Sequence, residues 1–320
     1  MNFYCRICCV IVLFYSPYAW SQKAVQSIFK VIPLGVKGGS DESNLSAYML
    51  AVEGTNEYIC LDAGTLNYGI QKAVAAKLFN DSASSVLKNF VKAYLISHPH
   101  LDHVSGLIIN SPDDSPKSIY GLPHCINVLK DKYFTWQNWA NFADDGEKPV
   151  LKKYHYTILT AATETAIENT SFSIRAFALS HGNPYQSTAF LVRYEENYLL
   201  YLGDTGADTL EKANNLQLLW NEISPLIKTK KLKAVFIEVS YPDEQPYNQL
   251  FGHLTPALLM QEMDALAKIT GTGALAGFSI VITHMKPSGS HEAIIKKQLG
   301  VSNKLHLKLI FPEQAKLLKF

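Results

Sequence analysis

Net charge is almost absent from this chain of 320 residues, because 29 lysines and arginines are matched by 28 aspartates and glutamates. Proteins that bind polymeric nucleic acid present an excess of basic side chains to its phosphates. The composition provides no such excess, so we expect no polymeric nucleic acid among the partners. A small anionic ligand is compatible with the same balance.

Long apolar runs are also missing, and the run near the start, 7–15, is too short for a membrane span of about 20 residues. It follows Arg6, and Ala19-Trp20-Ser21 places small residues where a signal peptidase cleaves. We therefore expect residues 1–21 to be a cleaved signal peptide. The mature protein would then be periplasmic or secreted, without a stable membrane anchor.

Cysteine is scarce, with five in the chain and three of them among the first nine residues. Removal of the signal peptide would leave only Cys60 and Cys125. A mature chain with so few cysteines depends on its apolar core rather than on a framework of disulfides. The sequence leaves their pairing open, although the apolar run around Cys60 is typical of a buried thiol.

Low-complexity segments, short repeats and linkers are absent as well, which favours a single domain over residues 22–320. Apolar and alternating runs predict strands, and a period of 3.6 residues predicts helices. The predicted strands are 27–34, 47–52, 57–61, 91–96, 172–179, 187–194, 197–202, 234–239 and 277–282, and the predicted helices are 70–78, 84–90, 104–109, 210–228 and 256–269. This order predicts an α/β protein built as a four-layer αββα sandwich. Residues 111–156 fit it least well, and we interpret them as a family-specific insertion.

The most informative segment is His98-Pro99-His100-Leu101-Asp102-His103, which directly follows an apolar strand. Residues two apart in an extended chain project to the same side, so His98 and His100 can bind one cation. Asp102 and His103 are adjacent and diverge, which suits a second cation beside the first. Imidazole and carboxylate are both good ligands for zinc and its neighbours. The segment therefore predicts a metal site.

The string His-Pro-His-Leu-Asp-His-Val-Ser-Gly-Leu at 98–107 resembles the signature of class II cyclic-nucleotide phosphodiesterases, a group of the metallo-β-lactamase superfamily. Further segments resemble the same family in the same order, at 180–182, 203–206, 237–241, 252–256 and 283–287. Together they extend over nearly the whole mature chain. The resemblance implies the αββα fold and an enzyme that hydrolyses a small 3′,5′-cyclic nucleotide, with cyclic AMP as the expected substrate.

The resemblance also implies seven metal ligands. His98, His100 and His181 would hold a first zinc ion, Asp102, His103 and His284 a second, and Asp204 would bridge both. The sequence supports the later positions independently, because His181, Asp204 and His284 each follow a strand-like run. We therefore expect the ligands to converge at one sheet edge around two Zn²⁺ per chain, a set that other divalent metals could also use.

The expected chemistry follows from two metal ions roughly 3.5–4 Å apart, which lower the pKa of a shared water to about 7. The resulting bridging hydroxide would attack phosphorus in line with the 3′ oxygen and yield a nucleoside 5′-monophosphate. Asp102 would orient this hydroxide while it remains a ligand.

His253 is the expected general acid or phosphate ligand, because related phosphodiesterases and nucleases have a comparable histidine. It lies just before a predicted helix that Thr255 caps and Pro256 begins, and helix N-termini attract anions. The alternative is a loop histidine that only caps its neighbours.

Three further features have two interpretations each. Asp62 ends a strand, and in the superfamily such an aspartate braces the metal loop, so we interpret it as structural. Glu238 either supports the site or ends a strand in solvent. The aromatic residues within 133–142 either stack a purine or pack the insertion onto the body.

Other functions use a similar metal site and make different demands on the chain. In one subgroup of zinc β-lactamases a cysteine takes the place of Asp204, and in the others no bridging carboxylate lies there. A thioester hydrolase would share the ligands but not the segment Gly252-His253-Leu254-Thr255-Pro256, and transfer-RNA processing would need a basic arm. A non-catalytic periplasmic metal-binding protein would saturate its metal with protein ligands rather than leave the site open.

Overall fold

The computed structural model describes Met1 and residues 27–320. The predicted signal peptide therefore lies, apart from Met1, outside the described residues, and its three cysteines lie outside them too. In the part of the chain that is described, no helix is both long and apolar enough to span a bilayer.

The described strands form two seven-stranded sheets. In chain order, the first sheet contains β1 (Phe29–Gly35), β2 (Ala47–Val52), β3 (Tyr58–Leu61), β4 (Val91–Leu95), β5 (Lys117–Gly121), β6 (Tyr154–Ile158) and β14 (Leu318–Lys319). The second contains β7 (Thr165–Ala166), β8 (Ser173–Ser180), β9 (Gln186–Tyr194), β10 (Asn197–Leu202), β11 (Leu232–Glu238), β12 (Ser279–Thr283) and β13 (Lys308–Ile310).

Each sheet is antiparallel at one end and parallel at the other. The first has the order β14-β1-β2-β3-β4-β5-β6 and becomes parallel from β3 onward. The second has the order β13-β12-β11-β10-β9-β8-β7 and is parallel from β10 to β13.

The helices are α1 (Asn67–Ala75), α2 (Ala83–Ser85), α3 (Leu101–Asn110), α4 (Pro123–Val128), α5 (Asp208–Glu211), α6 (Asn215–Lys228), α7 (Pro256–Thr270), α8 (Thr272–Leu275) and α9 (His291–Ser302). Short π-helical turns at Val86–Phe90 and Leu129–Tyr133 extend α2 and α4, and a 3₁₀ turn lies at Tyr247–Gln249.

Three apolar layers hold the elements together. Between the sheets, large rings such as Tyr48, Phe190 and Phe236 are buried, because alternate residues of each strand face the other sheet. Helices α1 and α3 cover the outer face of the first sheet, and α6, α7 and α9 cover that of the second. The predicted four-layer αββα sandwich is therefore confirmed.

Residues 111–156, the segment interpreted as an insertion, contain β5 and most of β6 of the first sheet. Strand β5 begins with Lys117. Lysine usually lies at the surface, but this side chain is buried. Its ammonium group lies 2.7 Å from the carboxylate of Asp114 and donates to the carbonyl of Leu87 at 2.8 Å. A paired charge can be buried where an unpaired one cannot.

The predicted helix 210–228 is divided into α5 and α6. Lys212 adopts a left-handed backbone conformation with φ of 52°, which ends α5. The carboxylate of Asp208 then accepts the amide hydrogens of Leu216 and Gln217 at the start of α6. Asp208 thereby caps α6 although it lies seven residues before the first residue of that helix. The periodicity of apolar residues does not reveal this role.

Candidate metal centre

Four strands end at one edge of the sandwich, and a predicted ligand follows each of them. His98 follows β4 of the first sheet. From the second sheet come His181 after β8, Asp204 after β10 and His284 after β12. The edge therefore combines residues from both halves of the chain.

The remaining ligands lie where the chain enters α3. His100 precedes the helix in an extended conformation, and Asp102 and His103 lie in its first turn. A carboxylate near a helix N-terminus is favoured by the helix dipole. The amide of Gly39 also donates to Oδ2 of Asp102 at 2.9 Å, which fixes the orientation of that carboxylate.

The first predicted group of ligands has converging ring nitrogens. Nε2 of His98 lies 3.1 Å from Nδ1 of His100, and Nε2 of His181 lies 3.3 Å from the same atom. The three side chains together form one of the candidate metal-binding clusters in the described residues.

The second group converges in the same way. Nε2 of His284 lies 3.1 Å from Nε2 of His103 and 3.1 Å from Oδ2 of Asp102. This trio is also a candidate metal-binding cluster. Gly38 lies against His284, since a Cβ at that position would be 2.1 Å from Cε1 of the ring, so no larger residue fits there.

Asp204 lies between the two groups. Its Oδ2 atom is 3.7 Å from Nε2 of both His98 and His181, 3.4 Å from Nε2 of His103 and 3.3 Å from Nε2 of His284. Burial alone would raise the pKa of Asp204, but the histidines at 284 and 103 hold it well below its usual value. This residue is therefore an ionised carboxylate within reach of both groups.

This donor set fits two ions of the zinc type. With metal–nitrogen bonds of about 2.05 Å, neighbouring nitrogens of a tetrahedral site lie about 3.3 Å apart, close to the separations found here. Burial, followed by the charge of His103, lowers the pKa of His98 well below its usual value, and burial lowers the pKa of His181 to about 4. Both rings are therefore neutral at pH 7, which is the form that binds metal.

Asp62 orients His103 from behind. Its Oδ2 atom accepts hydrogen bonds from Nδ1 of His103 at 2.7 Å, from the hydroxyl of Tyr201 at 2.6 Å and from that of Ser97 at 2.7 Å. This leaves Nε2 of His103 directed at the centre with its lone pair available. The brace is the structural role predicted for Asp62, while Tyr201 and Ser97 were not predicted, because hydroxyls on buried strands resemble ordinary core residues.

A second buried network contains His253. Its Nδ1 atom donates to Oε1 of Glu238 at 2.8 Å, and Ser240 donates to Oε2 of the same carboxylate at 2.7 Å. The hydroxyl of Ser240 also lies 2.9 Å from Nδ1 of His284. Glu238 is completely buried, so of its two interpretations the support of the site is correct and the solvated strand end is wrong. Ser240 is a further residue that spacing alone did not reveal.

The loop before α7 has the predicted local structure. Thr255 caps the helix by accepting the amide hydrogen of Leu258 at 3.4 Å, and Pro256 is its first residue. The ring of His253 lies between those of His181 and His284, at centroid distances of 4.9 and 5.3 Å. All predicted site residues thus lie together, with His253 beside the ligands rather than remote from them.

Comparison with known proteins places this geometry in a family. A sequence model of the class-II cAMP phosphodiesterases matches residues 27–307. The chain belongs to that family. The resemblance of the 98–107 string is thereby confirmed, and with it the prediction of an enzyme of the cyclic-nucleotide phosphodiesterase class.

Relatives of this phosphodiesterase family match over nearly their full length. The chain is 38% identical to a 3′,5′-cyclic-nucleotide phosphodiesterase of Aliivibrio fischeri, over 97% of this chain and 98% of the relative. It is 36% identical to a probable 3′,5′-cyclic-nucleotide phosphodiesterase of Yersinia pestis, over 91% and 89%. Among solved structures, unliganded yeast PDE1 superposes with a TM-score of 0.82 at 23% identity, over 92% of this chain and all of that one. The metallo-β-lactamase fold protein YhfI of Bacillus subtilis superposes with a TM-score of 0.60 at 16% identity, over 91% and 99%, and both likenesses concern the fold.

Proposed function

We propose that this protein hydrolyses 3′,5′-cyclic nucleotides, cyclic AMP in particular, to nucleoside 5′-monophosphates at a centre that binds two zinc ions. The observation that carries the proposal is the position of Asp204, whose Oδ2 lies within 3.7 Å of nitrogens in both histidine groups. A carboxylate within reach of both groups would hold two metal ions close together, as two-metal hydrolysis of a phosphodiester needs. Family membership supports the substrate class.

The ligands divide into two sets. His98, His100 and His181 would hold one ion, Asp102, His103 and His284 the other, and Asp204 would contact both. When bound, the two ions would supply a water of lowered pKa as the nucleophile and neutralise the phosphate oxygens. The substrate's cyclic phosphate would therefore bind directly over Asp204.

The chain's own residues would position the reacting groups. Asp102, held by the amide of Gly39, would accept a hydrogen bond from the attacking water and so direct its lone pair at phosphorus. His253 would protonate the leaving 3′ oxygen through Nε2, because its Nδ1 hydrogen is bonded to Glu238. Nε2 makes no hydrogen bond to another described residue and is therefore available to the substrate.

The proposal is tested by assaying the zinc-loaded chain against cyclic AMP, cyclic GMP, 2′,3′-cyclic AMP, a chromogenic phosphodiester, a thioester and a cephalosporin. We expect cyclic AMP to yield 5′-AMP, identified by chromatography against 3′-AMP. A His98→Ala variant assayed in parallel controls for a contaminating enzyme and should be inactive. Turnover of the thioester or the cephalosporin with inert 3′,5′-cyclic nucleotides would overturn the proposal.

We further propose export of a single catalytic domain, residues 22–320, after cleavage behind Ser21. The support is the short apolar run 7–15 and the small residues before the cleavage point. N-terminal sequencing of the protein from the periplasm or medium tests this. Recovery of the chain in the membrane fraction with its initial residues intact would contradict it.

A further inference from the structure

Two aromatic side chains are exposed beside the metal centre. Tyr185 is 60% exposed and Phe251 is 68% exposed. They lie on the two segments that also contain His181 and His253, four residues after the first and two before the second. Both rings are therefore largely open to solvent, on segments that also contribute to the centre.

Tyr185 lies directly against a predicted metal ligand. Its ring centroid is 5.1 Å from that of His100, with the two planes inclined by 70°. The amide of Tyr185 donates to the carbonyl of Gly182 at 2.9 Å, and the amide of Gly182 donates to the carboxylate of Glu211 at 3.0 Å. The main chain under the ring is therefore anchored, while much of the ring surface is open.

Phe251 has an unfavourable backbone conformation. Its φ of +54° lies in the left-handed region, which costs a bulky residue about 1–3 kcal/mol. Because the side chain is mostly exposed, packing does not offset this cost. Asparagine or glycine would be less strained at this position, so the backbone outlier makes Phe251 a candidate for a functional role.

The two segments meet through their main chains. A Cβ on Gly252 would be 2.2 Å from the amide nitrogen of Gly182. A Cβ on Gly182 would in turn be 3.3 Å from the carbonyl oxygen of Phe251. The carbonyl of Gly252 also accepts a hydrogen bond of 2.9 Å from Nδ1 of His181. The main chains that carry Tyr185 and Phe251 thus meet at one junction beside His181.

The aromatic residues within 133–142 are accounted for differently. Phe134 is completely buried, and Tyr133 and Trp139 donate hydrogen bonds to Pro99 and Ser111. Trp136, which is 41% exposed, donates to the carbonyl of Pro149 in its own segment. The structure therefore favours the packing role for Phe134 and Trp139, whereas the half-buried Tyr133 lies beside the metal loop through its bond to Pro99.

We propose that Tyr185 and Phe251 bind the nucleobase of the cyclic nucleotide by stacking. This inference rests on the proposed function, which places the cyclic phosphate over Asp204 and leaves the base to extend to one side. Base–aromatic stacking needs a rigid, exposed ring near the phosphate site, as Tyr185 provides. Stacking depends on the π-face that all bases share, so both cyclic AMP and cyclic GMP should bind.

A polar cavity adjoins this stacking site. Tyr185 lines a volume of about 250 Å³, and Asn183, Gln186 and Asn215 are among its other lining residues. Amide groups donate to and accept from the edges of bases. Amide side chains at these positions would give the base edge polar partners if the ring stacks on its face.

The experiment compares cyclic AMP with ribose 3′,5′-cyclic phosphate, which lacks the base. For Tyr185→Leu, Phe251→Leu and the double variant, we expect the ratio of kcat/KM between the two substrates to fall by roughly 5- to 150-fold, the range that corresponds to loss of one or two stacked contacts. The loss should appear in KM for cyclic AMP rather than in kcat, because the base does not react. Tyr185→Phe keeps the ring and should restore the ratio.

Two comparisons exclude a purely structural role. Phe251→Asn should leave the thermal midpoint equal or higher, since asparagine tolerates the left-handed conformation, while it raises KM for cyclic AMP. Trp136→Leu is the matched control in the 133–142 stretch and should not change the ratio. Binding of 2-aminopurine 5′-monophosphate, followed by its fluorescence, should show quenching that the double variant loses.

The outcomes separate this inference from the proposed function. A wild-type enzyme inactive on every cyclic nucleotide would overturn both. An active wild type with an unchanged ratio in the double variant, or a larger fall in Trp136→Leu, would overturn the base site alone.

Discussion

Nδ1 of His253 lies 2.8 Å from Oε1 of Glu238, a carboxylate without exposed surface. A buried carboxylate of this kind holds the ring through its Nδ1 hydrogen, so that Nε2 is the nitrogen left to donate to the substrate in the proposed reaction. The same carboxylate accepts from Ser240, whose hydroxyl also contacts His284. The proposed acid and one proposed metal ligand are therefore positioned by a common network.

Replacement of His253 by alanine tests this assignment. We expect kcat for cyclic AMP to fall by roughly 10² to 10⁴, the usual contribution of a general acid, with metal content unchanged. A phosphodiester with a p-nitrophenolate leaving group needs little protonation and should be affected much less. Equal impairment of both substrates would reassign His253 to phosphate binding, and loss of zinc would make it a ligand.

Asp204→Ala should lower the metal content as well as the activity. Its Oδ2 lies within 3.7 Å of nitrogens from both groups, so both ions would lose a ligand. Elemental analysis should find close to two zinc ions per wild-type chain and clearly fewer in the variant. A wild type with one tightly held ion, unaffected by the substitution, would contradict a binuclear centre.

Asp62→Asn should weaken metal binding although Asp62 is not a ligand. The amide would still accept one hydrogen bond but would lack the charge that strengthens the bond from His103. Changes behind a metal ligand typically cost 10- to 100-fold in affinity or activity. Competition with a zinc-sensitive chelator measures this, and an affinity equal to that of the wild type would show that the brace is dispensable.

The ion pair between Asp114 and Lys117 offers a test of stability that does not involve the site. Lys117→Met would leave Asp114 buried without its partner and should lower the free energy of unfolding by about 3–5 kcal/mol. Lys316 forms a pair of the same spacing with Glu313, but both side chains are mostly exposed. Lys316→Met should therefore change the free energy of unfolding by less than about 1 kcal/mol. Similar urea midpoints for the two variants would contradict this difference.

Cys60 and Cys125 should be unreactive in the folded protein. Both are free and buried, and burial raises the pKa of Cys60 to about 12 and that of Cys125 well above its usual value. Because the thiolate is the reactive form, a thiol reagent at pH 8 should modify neither residue until a denaturant is added. Rapid labelling of the native protein would show that the core opens readily.

Much of the proposed site was predictable because the proposed ligands are concentrated where strands end. The segment His98–His103 contains four of the seven, and His181, Asp204 and His284 follow strands whose apolar pattern is clear. The hydrogen-bond network around these residues is harder to predict. Ser97, Tyr201 and Ser240 each contribute one hydroxyl, and its partner comes from a segment that is distant in sequence.

The fold was less predictable where local pattern and tertiary contacts disagree. Strand β5 begins with a lysine that only the carboxylate of Asp114 allows to be buried. The break between α5 and α6 depends on a left-handed Lys212 and on capping by Asp208, neither of which interrupts the apolar period. Periodicity detects which face is buried, whereas such breaks depend on individual hydrogen bonds.

If the centre binds metal as proposed, its assembly from both sheets would link metal supply to the lifetime of the folded protein. An ion held by His98 and His181 would contact residues that follow strands of different sheets, and an unfolded chain would not bring these residues together. Free metal at 100 times the dissociation constant would add about 2.7 kcal/mol of stability per site. In a compartment where zinc is scarce, the same enzyme would therefore not only work more slowly but also unfold sooner and be degraded by proteases.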